Sequence, residues 1–161
     1  MVSRRIYCLV GLMAAGSLAL VGCTSGGASP SPSPTADGGG ATTVAVTLVE
    51  WAVLPAVSST PAGEVTFEIT NDGPEDVHEF VVIKTDLDVA ELPTNADGVV
   101  DEAGEGMEVI AEVEDLPVGE TQTLTVNLDG GNYALVCNIW DEEEGEAHYQ
   151  MGMRTVFTVT D

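Results

Sequence analysis

Positive charge is what this sequence has least of. Four lysines and arginines stand against 27 aspartates and glutamates, a formal net charge of −23. With no basic surface to neutralise phosphate, a nucleic-acid partner is excluded. Histidine is almost as scarce, with His78 and His148 the two in the chain, and cysteine is confined to Cys8, Cys23 and Cys137. No internal repeat occurs, and no stretch carries the apolar period of a long amphipathic helix. The longest apolar run, Leu9 to Val21, is too short for a comfortable membrane span.

That run reads instead as an export signal over residues 1–22, with Arg4-Arg5 as its positive end. Leu20-Val21-Gly22-Cys23 resembles the cleavage site of bacterial lipoproteins. The resemblance implies that Cys23 becomes the lipid-bearing first residue, so the protein is expected outside the cytoplasm, lipid-anchored to the cell membrane. Ser3-Arg4-Arg5 leaves the export route open between the general and twin-arginine systems. Residues 23–41, rich in Gly, Ser, Pro and Thr, bury nothing and form a flexible tether. A coil of that length spans roughly 20–25 Å, enough to hold a small domain off a membrane. Removal of Arg4 and Arg5 leaves 2 basic residues against 27 acidic ones, or −25. Such a field attracts cationic partners and metal cations, and does so less at high salt; it equally serves general solubility.

Residues 42–161 have the size of one domain with a single core. Short β-rich runs separated by turn residues fill it. Thr43 to Val49, Trp51 to Leu54, Glu64 to Thr70, Val77 to Lys84, Met107 to Val113, Thr121 to Leu128, Tyr133 to Cys137 and Arg154 to Thr160 read as strands. Val65, Phe67 and Ile69 share one face of their strand, whereas Val77 to Lys84 is apolar throughout, as in a strand covered on both sides. Asn71-Asp72-Gly73-Pro74 and Asp129-Gly130-Gly131 are turns. Leu87 to Gly106 reads as a long loop with room for a helical turn. Seven or eight strands in this length predict an all-β, antiparallel β-sandwich.

Chemistry concentrates in the last quarter. Cys137, His148, Met151 and Met153 fall within seventeen residues. Once Cys8 leaves with the signal and Cys23 takes lipid, Cys137 is a lone thiol in an exported domain, where a metal site would protect it. A thiolate and imidazoles with a weak thioether form the donor set that copper uses to cycle between its two oxidation states. The second imidazole would come from His78. Cys137 ends a strand, which places its sulfur rigidly, and His148 follows an acidic turn that reads as a surface loop presenting an exposed imidazole.

Asn71…His78-Glu79-Phe80-Val81-Val82, Gly131-Asn132-Tyr133-Ala134-Leu135-Val136-Cys137 and His148…Gly152-Met153-Arg154-Thr155-Val156-Phe157 together resemble the cupredoxins, close to the plastocyanin-like branch. The resemblance implies a Greek-key sandwich with one type 1 copper ion at one end. Its ligands would be His78, Cys137 and His148, with Met153 favoured over Met151 on the axial position by its spacing from His148. Two departures stand out. Residues 140–147 form an acidic insertion between Cys137 and His148, and Glu79 stands where several relatives carry Asn. The implied function is a membrane-tethered outer-sphere electron carrier, monomeric and not an enzyme. A cytochrome or oxidase with a cationic docking face is the expected partner. The alternative is a module that buffers copper or delivers it to an oxidase.

Overall fold

The computed structural model describes residues 41–161. The expected signal, Cys23 and nearly all of the tether lie outside them. In chain order the strands are β1 (Thr42–Val49), β2 (Ala52–Pro55), β3 (Ser59–Pro61), β4 (Gly63–Asn71), β5 (His78–Thr85), β6 (Met107–Leu116), β7 (Thr121–Leu128), β8 (Gly131–Val136), β9 (Trp140–Asp141), β10 (Glu146–Ala147) and β11 (Arg154–Thr160), with a one-turn helix α1 (His148–Met151) before the last. One sheet runs β2-β1-β4-β7 and the other β3-β11-β8-β5-β6, while β9 and β10 form a separate two-stranded hairpin.

Alternation dictates the sandwich. Val44, Val46 and Leu48 of β1 and Val65, Phe67 and Ile69 of β4 point inward from one sheet. They meet Phe80, Val82, Tyr133, Leu135, Phe157 and Val159 of the other. Phe67 anchors the contact, its ring centroid 5.3 Å from Phe80 and 5.7 Å from Phe157. Burying one such ring fully contributes roughly 1.5–3 kcal/mol.

The β-sandwich is as expected, but its pairing is not wholly antiparallel. β1 pairs with β4 in parallel, and β11 with β3 in parallel. The first follows from the connection: the chain leaves β1 through β2, visits the other sheet as β3, and returns as β4, a crossover long enough for parallel neighbours.

β5 is covered on both faces, as its unbroken apolar run implied. Its outward Val81 and Ile83 pack with Ala134, Val136, Leu92, Val100 and Tyr149 in a second core. Leu92 and Val100 come from the 86–106 segment, which contains turns and a bridge between Thr94 and Val100 but no helical turn. This long segment is thus a packed flap over the second face of the sheet.

Candidate metal centre

Four side chains meet at one end of the sandwich, delivered by three different devices. His78 opens β5, Cys137 follows directly on β8, and His148 opens α1. Met153 sits between α1 and β11. Backbone hydrogen bonds hold the last three together: Cys137 N–H to Met153 O at 3.0 Å, Met153 N–H to His148 O at 3.1 Å, and His148 N–H to Ile139 O at 3.0 Å. Gly152 makes this corner possible. Its φ of 125° is one that side chains rarely adopt, and a Cβ there would lie 3.1 Å from the Trp51 carbonyl oxygen.

His78 is placed by Asn71. The buried Asn71 amide donates to Asp76 O at 2.8 Å and Leu116 O at 2.9 Å, and its oxygen accepts from Gly73 N–H at 2.9 Å. One side chain therefore locks the whole turn that enters β5.

The donor atoms converge. His78 Nδ1 lies 3.3 Å from His148 Nδ1, and Cys137 Sγ lies 3.4 Å from His148 Nδ1 and 3.9 Å from His78 Nδ1. Nitrogen and sulfur donors sit about 2.0–2.3 Å from a bound ion, so two that share one lie roughly 3.3–3.8 Å apart. The observed separations are close to that spacing. All three side chains are buried, as is Met153, while Met151 is 40 % exposed. A thiol, two imidazoles and a buried thioether are the donor set of one type 1 copper ion.

Electrostatics prepare the donors. Burial lowers the pKa of His78, and the neighbouring His148 lowers it further, against the pull of Glu50 and Asp76. Burial also lowers that of His148 despite Asp76, Asp141, Glu50 and Glu146. Both rings are thus neutral near pH 7, with a lone pair free to bind metal. Burial pushes the Cys137 thiol up to about 12, although the Glu79 and Ile139 backbone N–H groups favour its thiolate. Without metal the sulfur keeps its proton, and a bound cation would displace it. Glu79 N–H points at Sγ from 3.2 Å. Such a hydrogen bond to the sulfur tunes a copper–thiolate potential.

One expectation fails. His148 does not stand on an exposed loop; it is 1 % exposed. The acidic insertion explains this. Residues 140–147 fold into the β9–β10 hairpin, whose turn is fixed by Asp141 Oδ1 accepting from the N–H groups of Glu143 and Glu144. The hairpin ends at Ala147, and the chain turns at once into α1, which carries His148 inward. The half-buried Trp51 packs edge-on against the imidazole, ring centroids 5.0 Å apart. Trp51 and Glu50 are the site neighbours that sequence reasoning missed. Neither has a local pattern to mark it, because both reach the site from the end of β1.

A mononuclear thiolate–imidazole metal centre at the end of a two-sheet β-sandwich defines the class of this protein. Solved structures agree. An auracyanin from Roseiflexus castenholzii matches with 26 % identity over 77 % of this chain and 100 % of its own, at a TM-score of 0.54. Auracyanin A from Chloroflexus aurantiacus, itself described as a blue copper protein, matches at 20 % identity over 75 % of this chain and 100 % of its own, with a TM-score of 0.54. A rusticyanin from Thiobacillus ferrooxidans matches at 20 % identity over 74 % of this chain and 77 % of its own, with a TM-score of 0.50. No protein-family model matches the sequence, and a search of curated proteins finds no match. The fold is that of the cupredoxins.

Proposed function

We propose that the protein is an exported, lipid-tethered blue-copper protein that carries single electrons, with His78, Cys137, His148 and Met153 as the copper ligands. The observation that carries this reading is the convergence of two imidazole Nδ1 atoms and one thiol sulfur within 3.9 Å of one another in a buried pocket. Copper bound there supplies a one-electron couple. The protein's own part is positional. Sheet ends and the Asn71 turn fix the donors, so they need move little between oxidation states. The buried thioether of Met153, rather than the exposed one of Met151, would be the fourth ligand. The Glu79 N–H holds part of the negative charge on the sulfur.

The same burial separates carrying electrons from delivering copper. A delivery module must release its ion readily, whereas donors exposed to 1 % or less favour retention. Burial of all four donors also leaves little access for a substrate, which favours a carrier over an enzyme. Among the described residues no helix is long and apolar enough to cross a membrane. Attachment in this reading is through lipid on Cys23, and the surplus of acid around the hairpin suits a partner with a cationic face.

Titration of the purified protein with Cu(II), beside Cys137→Ser, tests the reading. An intense blue thiolate-to-copper band with narrow hyperfine splitting, lost in the variant, is expected. A pale complex that survives the substitution would leave copper handling through His and carboxylates as the better account.

A further inference from the structure

Glu50 follows β1, 28 residues ahead of His78 in sequence, yet its carboxylate lies behind that imidazole. Oε1 accepts the Asp76 N–H at 2.9 Å and the Glu75 N–H at 3.2 Å, both in the turn that enters β5. Gly73 lets that turn close over the carboxylate. A Cβ at Gly73 would stand 2.6 Å from Oε1 and 2.9 Å from Oε2, so any side chain there would push the carboxylate out of its present place. The Glu50 side chain is 11 % exposed.

Two atoms in this cradle are buried without a hydrogen-bond partner: Glu50 Oε2, an acceptor, and His78 Nε2. Nε2 lies 3.8 Å from Oε1. A buried polar atom without a partner is costly, so an acceptor and a ring nitrogen left in one cradle call for a joint explanation. A neutral imidazole carries one N–H. At 3.8 Å the carboxylate is too far for a direct hydrogen bond, but its charge favours the hydrogen on Nε2, which leaves the Nδ1 lone pair towards Cys137 and His148.

We propose that Glu50 is a positioning residue for the metal centre: it holds His78 as the Nε2–H tautomer and sets a negative charge behind that ligand, favouring Cu(II) over Cu(I). A carboxylate behind a ligand imidazole makes it a stronger donor, and removing a directly hydrogen-bonded one typically weakens metal binding by about 10–100-fold; at 3.8 Å the effect of Glu50 is expected at or below the low end of that range. The higher oxidation state gains more from the charge, so the carboxylate lowers the reduction potential. The inference rests on the copper reading of the site, but its first test does not.

Nitrogen-15 NMR of the metal-free protein reads the His78 tautomer directly, whether or not copper binds. The native protein is expected to show hydrogen on Nε2. Glu50→Gln keeps an acceptor and removes the charge, whereas Glu50→Leu removes both. The expected result is an Nε2–H tautomer retained in Glu50→Gln and redistributed toward Nδ1–H in Glu50→Leu. In the copper-loaded protein, Glu50→Gln keeps the blue band and raises the potential. A loss of Cu(II) affinity tenfold greater than that of Cu(I) would appear as a rise of about 59 mV. Hydrogen on Nδ1 in the native metal-free protein would overturn the proposal. So would an unchanged potential in a Glu50→Gln variant that binds copper with its blue band intact. Failure of the native protein to form a blue site defeats the copper reading instead, and the tautomer measurement still decides what Glu50 does to His78.

Discussion

Glu79 is the side chain in greatest electrostatic conflict. Its backbone N–H serves the Cys137 sulfur, which forces its carboxyl into a partly buried place beside Glu102 and Glu112, all three within 4.8 Å. Burial, then the charges of Glu102 and Glu112, raise its pKa from 4.5 to about 7. The folded state therefore binds this proton more tightly than the unfolded chain. Its cost is absent below pH 4.5 and grows as pH rises towards about 7, so stability falls across that window. In the metal-free protein Glu79→Gln is expected to raise the thermal midpoint at pH 8 and leave it nearly unchanged at pH 4; equal shifts at both would refute the assignment. Residues at this scale were legible in the sequence in proportion to their rarity. With two histidines and one cysteine left in the domain, the candidate ligands stood out. Glu79 stood out only as a departure from the relatives' Asn, and Glu50, one acid among 27 acidic residues, is distinguished only by where the fold places it.

Strands were legible because alternation is a local signal. Flap and hairpin were not, because contacts from remote residues shape them. The flap over residues 86–106 is pinned by side chains on the ligand loop. Buried Tyr149 donates its hydroxyl to Val89 O at 2.8 Å and accepts from Leu92 N–H at 3.0 Å. Asn138 accepts from Val100 N–H at 2.7 Å and donates to Val100 O and to Glu102. These two residues flank the hairpin, so the flap and the hairpin are stabilised together. Tyr149→Phe leaves the Leu92 N–H buried without an acceptor and is expected to cost about 1–3 kcal/mol in urea unfolding. Faster hydrogen exchange should spread from the flap to α1, whereas β1 and β4 should keep their protection. A uniform acceleration would mean that the flap is not a separate unit. The insertion's length was plain in the sequence, but its effect on His148 depended on where the hairpin ends, which no spacing rule supplies.

On the scale of the whole molecule, charge is the dominant fact. Both cations of the described domain are engaged: Lys84 lies 4.0 Å from Asp129, and Arg154 hydrogen-bonds Tyr149 O and stacks over the Tyr149 ring. Little is left to relieve the acidic surface, and copies of the chain repel one another. Electron transfer to a basic cytochrome is expected to slow steeply between 10 and 200 mM salt in stopped-flow mixing, while transfer to an acidic one stays slow throughout. A flat salt profile would remove charge from the account of partner choice. The fold packs its most reactive atoms where the solvent does not reach, with Trp51 against His148 and the hairpin leading into it. A chelator in the medium then has no direct line to the ion and must wait for the protein to open. Copper loss should follow a first-order clock whose rate levels off as chelator is added, and Trp51→Ala should make that clock run faster. The residence time of the metal becomes a property of the polypeptide's own breathing, set by how often this end of the sandwich comes apart.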